Sequence, residues 1–490
     1  MNGMKKTNTL YWIYSFCVGI ALILLVVQNY FSLDEPNILW ELRSGTGWSR
    51  FYNLFIADGR PIYGAIQMGA IEVAGTLANL KFLRIISVLF TFLFSLLIFN
   101  YLKKKGVTAP VAFIICSMIF SIPGFSVFIC WAQQYSHHFS SIFSFYAGML
   151  VTAVFAFRLG EDKLGRSTEN KYIFFAVLLQ LFSLLIYQSM ALSFVIPAFF
   201  TLVLKRDVAV KNRLYFLASV LFLFFICLIV YYKLFQSILH SSGIAMTTRG
   251  TSEGIDPLFK LKWLMSILKE ASKLHLLLLK NSLPSFVFSL VMVFILIRDL
   301  ILKRFMDVLF LFLFAALLIL PHLVIAVSWG ASRNFALITL IFIFYSVTRI
   351  FELLPSPPVA IAIAVSSVFI GLMFMNILEG WVKPMKKDYN YLHEFAGKLP
   401  PIQRDTLFVG YIPPAWNLHE KKSFLKYYYD EFNAPEFFRI WPIVPGLKCL
   451  YQDTHPGTNM ETINKYLRID SVNAPSLKNK QFIELNFNYQ

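Results

Sequence analysis

Apolar stretches long enough to cross a bilayer recur along this chain from its N-terminus to residue 378. A helix needs about 20 mostly apolar residues to cross a hydrocarbon core of roughly 30 Å. We identify eleven such stretches, of which the fifth and sixth are short enough to form a re-entrant pair instead. They cover residues 10–31, 82–102, 109–130, 139–158, 172–187, 189–204, 214–236, 284–302, 308–328, 335–350 and 358–378. The pattern predicts an all-α polytopic membrane protein with about 11 transmembrane helices.

Composition supports this class and excludes others. Of the 490 residues, 57% are hydrophobic and only 14% are charged, whereas soluble domains carry about 25% charged residues. Four of the five cysteines lie inside apolar stretches, so no disulfide framework or zinc pattern is indicated. The chain is therefore neither a soluble globular protein nor a disordered one.

The positive charges are concentrated in alternate loops, which predicts the orientation of the chain. Seventeen Lys and Arg fall in one set: Lys5, Lys6, Lys103, Lys104, Lys105, Arg158, Lys163, Arg166, Lys171, Lys205, Arg206, Lys211, Arg213, Arg298, Lys303, Arg304 and Arg349. The short loops of the other set hold only Arg333. Because Lys and Arg mark the cytoplasmic side, we expect a cytoplasmic N-terminus and an extracytoplasmic C-terminus. The net charge of +17 then reflects orientation, and no nucleic-acid partner is expected.

Three longer segments are predicted to lie outside the membrane on the outer side. They are the first long segment (residues 32–81), the second long segment (237–283) and the tail from residue 380. The tail is richer in charge and proline than the rest, which predicts a transmembrane module at 1–379 and a small soluble domain at 380–490. Strand-like runs at 406–411 and 482–485 flank a helix-like stretch at 420–429, so we expect a mixed α/β domain.

The first long segment contains the most informative motif. Asp34 and Glu35 directly follow the first apolar stretch. Two adjacent carboxylates at a membrane surface raise each other's pKa, so that one can act as a base. The alternative is that both are solvated residues before Pro36. Further along lie Gly47-Trp48 and Asp58-Gly59-Arg60-Pro61.

The order of acidic pair, Gly-Trp and Gly-Arg-Pro within residues 34–61 resembles the bacterial membrane glucosyltransferases that modify O-antigen, the GtrII-like family. These are similar to the wider GT-C superfamily of polytopic glycosyltransferases. The resemblance implies a GT-C-like fold, a bacterial inner-membrane location and an acidic catalytic residue in the first outer loop. The family pattern has two aspartates where this chain has Asp34-Glu35, which leaves open which residue is the base.

The resemblance also implies a lipid-linked sugar donor. Such enzymes take a sugar from polyprenyl phosphate, and no Rossmann or P-loop motif for a nucleotide occurs in the chain. Asp34 or Glu35 would deprotonate the acceptor hydroxyl. Arg60 and Arg333 are the candidates for the donor phosphate, because a guanidinium binds two phosphate oxygens at once. The alternatives are a helix-start residue for Arg60 and a headgroup-seeking side chain for Arg333.

Seven further residues are candidates for sugar or acceptor binding, since amide, phenol and imidazole groups hydrogen-bond hydroxyls and indole rings stack on sugars. They are Trp48, Asp58, Gln133, Tyr135, His138, Tyr187 and Gln188. For the residues near 131–138 the alternative is an interfacial aromatic belt. No metal site is predicted, because adjacent histidines point about 100° apart on a helix.

These observations predict a membrane glycosyltransferase that moves a hexose, most simply glucose, from a polyprenyl-phosphate donor to a surface polysaccharide or its lipid-linked precursor. The superfamily resemblance implies inversion at the anomeric carbon. The expected partners are the lipid donor, the glycan acceptor, the bilayer, a flippase and a donor synthase. No cofactor is indicated by a motif, and whether Asp34 and Glu35 hold a divalent cation stays open. Two alternatives stay open: an O-antigen polymerase or ligase, and a lipid-linked oligosaccharide flippase.

Overall fold

The computed structural model describes residues 2–32, 34–247, 256–272, 283–324, 336–402, 405–412, 440–478 and 480–486. Its described residues are mostly helical. The first twelve helices are α1 (Asn2–Val26), α2 (Glu35–Arg43), α3 (Asn53–Ala57), α4 (Pro61–Ala74), α5 (Leu80–Lys104), α6 (Ala109–Phe120), α7 (Pro123–Cys130), α8 (Tyr135–Phe155), α9 (Arg166–Ile186), α10 (Gln188–Ala191), α11 (Ile196–Leu204) and α12 (Val210–Ser242). The others are α13 (Pro257–Ser272), α14 (Leu283–Ile301), α15 (Phe305–Val324), α16 (Ala336–Leu353), α17 (Val359–Ile377), α18 (Lys383–Lys398), α19 (Ile440–Thr454) and α20 (Met460–Tyr466).

Seven helices in the described part of the chain are long and apolar enough to cross a membrane. They are Thr9–Val26, Leu80–Lys104, Tyr135–Leu159, Arg166–Ile186, Val210–Ser242, Ala336–Leu353 and Val359–Lys398. Three shorter apolar helices follow the same composition: Ala109–Ile119, Gln188–Leu204 and Phe305–Leu320. The prediction of a helical, multi-pass membrane protein is confirmed at this level, and the count of eleven spans stays a prediction.

Contacts between loops define two ends of the helix bundle. At one end, which we call the basic end, Lys105 and Lys205 both pair with Glu161, at 2.9 and 3.5 Å, and Thr108 meets Ser356. The other end, which we call the loop end, carries the first long segment. Because α5 spans 25 residues, or about 37 Å, its two termini lie at opposite ends. The segments before and after α5 are thus separated, and which end faces the cytoplasm stays a prediction.

A buried arginine fixes the path of the chain where it leaves α1. Arg84, in the second turn of α5, donates to the carbonyls of Val26, Gln28 and Tyr30 at 2.8–3.2 Å, and its guanidinium lies 3.7 Å from the Tyr30 ring centroid. The last carbonyls of a helix have no partner within it and attract a cation. Arg84 therefore caps α1 and positions the start of the first long segment.

Small residues allow α8 to pack closely on α9 and on the turn that follows it. Ser140, Ser144 and Gly148 repeat every four residues on one face of α8, a spacing that lets membrane helices approach. The hydroxyls of Ser140 and Ser183 meet at 2.8 Å. A Cβ added at Gly148 would lie 2.0 Å from the backbone oxygen of Phe194, so this position accepts only glycine.

Gly148→Ala is therefore expected to destabilise the protein, by about 1–3 kcal/mol as for other overpacked sites. Gly371→Ala is the matched control, because Gly371 lies in α17 and a Cβ there meets nothing within 4 Å. Thermal unfolding in detergent should give a lower midpoint for Gly148→Ala and an unchanged or higher one for Gly371→Ala. Equal midpoints for the two variants would contradict the close approach.

The C-terminal part combines helices with a small parallel sheet. Its strands are β1 (Leu407–Ile412), β2 (Leu467–Ser471) and β3 (Ile483–Asn486), in the order β2-β1-β3 with β1 parallel to both neighbours. The strand-like runs predicted at 406–411 and 482–485 coincide with β1 and β3. The helix predicted at 420–429 lies outside the described residues.

This part packs directly against the first long segment. Arg43 of α2 donates to the Gly75 and Cys449 carbonyls and pairs with Asp453 at 2.7 Å. Buried side chains of α2 and α19 belong to one hydrophobic core. In addition, α17 and α18 form a continuous 40-residue helix, Val359–Lys398, and the predicted boundary at residue 380 lies within it. The division into two domains stays a prediction.

Candidate functional site

The acidic pair of the first long segment stands at the start of α2. Asp34 occupies the N-cap position and Glu35 the first turn, followed by Pro36. Glu35 is fully buried, and its two carboxylate oxygens accept backbone N–H groups of Ser32, at 2.8 Å, and Ala132, at 2.6 Å. Ala132 belongs to the short turn between α7 and α8. Glu35 thus ties the first long segment to that turn.

The two carboxylates therefore have different surroundings. Asp34 keeps part of its surface accessible, whereas Glu35 has none. A catalytic base must come within hydrogen-bond reach of the hydroxyl that it deprotonates. Of the two carboxylates, only Asp34 keeps surface that such a hydroxyl could reach.

The Asp58-Gly59-Arg60 sequence forms a tight turn between α3 and α4. Gly59 has φ +77°, a left-handed conformation that glycine adopts at little cost. The amide nitrogen of Gln188 donates to the Gly59 carbonyl at 2.9 Å and to the Tyr231 hydroxyl at 2.7 Å. Tyr231 in turn donates to the same carbonyl at 3.0 Å. The turn is held by α10 and α12, which are distant in sequence.

The turn presents Arg60 to two predicted site residues. Arg60 Nε donates to Gln188 Oε1 at 3.2 Å, and the guanidinium carbon lies 4.8 Å from the Tyr187 ring centroid. Stacking on an aromatic face and one directed hydrogen bond orient the guanidinium plane. The bond to Gln188 uses one of five N–H donors. Arg60, Tyr187 and Gln188, which were predicted separately, are thus brought together.

Gly59→Ala is expected to disturb this turn strongly. A Cβ there would lie 2.5 Å from the Tyr231 hydroxyl and 3.0 Å from Gln188 Nε2, in addition to the strain of the positive φ. Gly45→Ala is a matched control, because Gly45 has φ +76° and open space around it. In thermal unfolding, Gly59→Ala should lower the midpoint more than Gly45→Ala does. Equal effects would show that Gln188 and Tyr231 do not enclose the turn.

Asp58 joins the first long segment to the chain that follows α12. Its Oδ1 accepts a hydrogen bond from the Thr247 hydroxyl at 2.7 Å, and the Thr247 amide donates to the Ala57 carbonyl. The two long segments predicted to lie outside the membrane therefore meet at this turn. Asp58 is half-buried and faces a polar partner, which suits a residue that positions the segment.

Aromatic and imidazole rings lie beside Arg60. The ring centroid of His137 is 3.7 Å from that of Tyr187 and 5.2 Å from that of Tyr63. The Tyr135 hydroxyl donates to the Ile66 carbonyl at 3.1 Å, and His138 Nε2 meets the Thr91 hydroxyl at 2.7 Å. These residues are buried and do not form a belt exposed to lipid. His137 connects to Arg60 through Tyr187, whereas Tyr135 and His138 bond to the neighbouring helices.

Several buried polar atoms near these rings have no hydrogen-bond partner among the described residues. They are both amide atoms of Gln67, Gln134 Oε1, the Ser136 hydroxyl and His138 Nδ1. Gln67 lies one turn after Tyr63 on α4 and is fully buried. An unpaired buried polar atom costs roughly 1–3 kcal/mol, so groups of this kind suit a water molecule or a ligand hydroxyl.

The remaining predicted residues either make other contacts than those around Arg60 or lie outside the described residues. Trp48 is 42% exposed; its indole N–H donates to Glu72 at 3.1 Å and its ring contacts Tyr52. The Gln133 side chain and Arg333 lie outside the described residues. Within the described part of the chain, no three His, Cys, Asp or Glu side chains are grouped in a way that could hold a metal ion.

Four residues of the site were not among the predicted site residues: Tyr63, His137, Tyr231 and Thr247. Tyr231 lies inside a predicted membrane span, where a tyrosine suggests only an interfacial anchor. Tyr63 follows Arg60 by three residues, so helical spacing alone could have placed it on the same face of α4. No sequence signal connects Thr247 with Asp58.

Comparison with protein-family models, with curated proteins and with solved structures finds no match to this chain.

Proposed function

We propose that this protein is a membrane glycosyltransferase that transfers a hexose from a polyprenyl-phosphate donor to a surface polysaccharide or its lipid-linked precursor. The observation that carries the proposal is the turn at Asp58-Gly59-Arg60. Gln188 and Tyr231 hold it, and an oriented guanidinium lies next to buried aromatic, amide and imidazole groups. A cation suits a lipid phosphate, and the polar groups suit sugar hydroxyls.

A path of contacts connects the acidic pair to this arginine. Glu35, adjacent to Asp34, accepts the Ala132 amide. Gln134, two residues later, contacts His137 through its carbonyl at 3.2 Å, and the His137 ring contacts Tyr187, on which Arg60 stacks. Asp34 and Arg60 thus belong to one packed assembly at the loop end.

In the proposed reaction, Asp34 takes the proton from the acceptor hydroxyl while the oxygen of that hydroxyl bonds to the anomeric carbon. The bond between that carbon and the phosphate oxygen breaks, and its electron pair stays on the departing polyprenyl phosphate. Arg60 stabilises the negative charge that develops there. Tyr187, Gln188 and His137 surround the sugar, with Trp48 at the surface as an acceptor contact. In this proposal the loop end faces the extracytoplasmic side of the membrane, and the acceptor glycan lies on that side.

Glycan analysis in cells tests the proposal. Surface and lipid-linked glycans from cells expressing wild type, Asp34→Asn or Asp162→Asn, at equal membrane levels, are compared by mass spectrometry. Asp162 is an exposed aspartate between α8 and α9, so its substitution controls for the loss of one carboxylate. We expect one added hexose per glycan unit with wild type and Asp162→Asn, and none with Asp34→Asn. Longer glycans without an added hexose would instead favour a polymerase.

A further inference from the structure

A network of charged side chains lies at the basic end and includes none of the residues of the proposed site. It consists of Arg206, Arg213, Arg298, Arg304, Arg349, Asp299, Asp307 and Glu352, and we call it the arginine network. Ion pairs within 4 Å connect all eight. It joins α12, α14, α15 and α16 where these helices begin or end.

The inner half of the network is balanced in charge. Arg349 and Asp299 are both fully buried and pair at 2.9 Å, Nε to Oδ2. Arg349 Nη2 also reaches Asp307 at 2.7 Å, and Asp307 pairs with Arg213. Two arginines thus match two aspartates in charge, and Asp299 is also shared with Arg298, at 3.8 Å, and Arg304, at 3.3 Å. A buried ion pair is tolerated when each charge is compensated, so this half serves to hold the helices together.

Among the described residues, the outer half has fewer carboxylates than arginines. Arg206, Arg298 and Arg304 all converge on Glu352, at 2.5, 3.8 and 2.8 Å, and Glu352 also accepts from Arg349 at 2.5 Å. The three arginine side chains are 29%, 15% and 26% exposed. Five arginines and three carboxylates leave an excess of two positive charges, on side chains that reach the surface.

The surroundings of Arg206 disfavour its positive charge and bring further cations close to it. Burial lowers the pKa of Arg206, and the positive charges of Arg349 and Arg304 lower it further, while Glu352 acts in the opposite direction. Next to Arg206, Lys205 shares Glu161 with Lys105, which is again two cations for one carboxylate. Like charges held this close repel each other unless an anion lies between them.

We propose that Arg206, Arg298 and Arg304 bind the phosphate of an anion at the level of the lipid headgroups. Planar guanidiniums that converge from three helix ends match the several oxygens of a phosphate. Helices that cross a bilayer end near the depth of the headgroup phosphates, and these arginines lie at or beside such helix ends. The basic end is also the one predicted to face the cytoplasm, whose leaflet carries anionic lipids. The site is independent of the proposed transferase reaction.

Thermal unfolding of the full-length protein in nanodiscs tests this site. Protein in nanodiscs of phosphatidylcholine alone is compared with protein in nanodiscs that also contain phosphatidylglycerol. In a second comparison, inorganic phosphate is added to the phosphatidylcholine nanodiscs. Both are measured at physiological ionic strength, which screens non-specific attraction. Anything that binds only the folded state raises the unfolding midpoint. We expect phosphatidylglycerol to raise the wild-type midpoint. A rise with inorganic phosphate alone would identify a free anion as the occupant of the same site.

Variants separate binding from a purely structural network. The double variant Arg206→Gln/Arg304→Gln should lose the phosphatidylglycerol shift, because its affinity for the anion falls by at least about tenfold. Arg166→Gln, which changes an exposed arginine outside the network, should keep the shift. Glu352→Gln should lower the midpoint in phosphatidylcholine, because four arginines lose a partner, yet respond more strongly to the anion. If the network were purely structural, the anion would raise the midpoint of Glu352→Gln no more than that of wild type. An equal shift in wild type and in the double variant, or no shift with either anion, would overturn the proposal.

Discussion

Arg60→Ala is expected to reduce sugar transfer by about 10²–10³-fold, the loss seen when one group that stabilises transition-state charge is removed. Arg60 is oriented by Gln188 at 3.2 Å and by the Tyr187 ring, so its guanidinium is already in place before charge develops on the leaving phosphate. A group that acts in this way lowers the barrier of the chemical step. The loss should therefore appear mainly in kcat and less in KM.

Two further variants sharpen this experiment. Arg60→Lys keeps the positive charge but loses the planar group that stacks on Tyr187 and bonds to Gln188, so we expect activity between that of wild type and Arg60→Ala. Arg50→Ala is the matched control, because Arg50 belongs to the same segment and its side chain is 69% exposed. Near-normal transfer by folded Arg60→Ala would remove Arg60 from the phosphate site.

Glu35→Ala is expected to cause the largest loss of stability. The substitution leaves the Ser32 and Ala132 amides unpaired in a fully buried position. Each unpaired buried N–H costs roughly 1–3 kcal/mol, so the free energy of unfolding should fall by roughly 2–6 kcal/mol. The variant should elute as aggregate, or unfold at a much lower temperature, when it is purified in detergent.

Comparison with other carboxylates checks that this effect is specific. Glu72→Ala removes an exposed carboxylate of the same segment and should unfold close to the wild-type temperature. Glu35→Gln keeps one carbonyl oxygen and turns its amide N–H₂ toward a backbone donor, so an intermediate loss is expected. If Glu35→Ala were as stable as Glu72→Ala, Glu35 would not be the link between the first long segment and the turn before α8.

The helical, multi-pass fold could be predicted because the period and length of apolar runs depend only on local sequence. Both strands predicted in the tail coincide with observed strands for the same reason. The predicted turn between the fifth and sixth stretches is also observed, with Tyr187 extended between α9 and α10. The break between α6 and α7 at Pro123 was not predicted, although proline disfavours helix at the residue before it.

Interactions across long distances in sequence account for what could not be predicted. Asp34 and Glu35 are chemically similar neighbours, and their difference arises because Glu35 meets the amide of Ala132, 97 residues away. Arg349 was interpreted only as an orientation signal, since its partners Asp299 and Asp307 lie on other helices. Likewise, Arg43 of α2 pairs with Asp453 of α19, 410 residues away along the chain.

For the candidate site, the sequence indicates single residues without their arrangement. Arg60, Tyr187 and Gln188 were chosen for separate reasons of motif and position, and only the fold places them together. Tyr135 and His138 were chosen for their chemistry, yet helix packing turns them toward Ile66 and Thr91. Side-chain direction in a bundle depends on the rotation of each helix, which apolar periodicity defines poorly when a helix is hydrophobic on all sides.

The central claim is that this protein breaks the bond between a sugar and polyprenyl phosphate, with Asp34 as the base. Release of polyprenyl phosphate from synthetic polyprenyl-phospho-glucose tests it most directly, with purified protein, a glycan acceptor, and galactose and aminoarabinose donors in parallel. We predict release by wild type, loss in folded Asp34→Asn, and release by the fraction of Glu35→Gln that folds. No release from any donor by folded wild type with a competent acceptor, or full release by Asp34→Asn, would contradict the account.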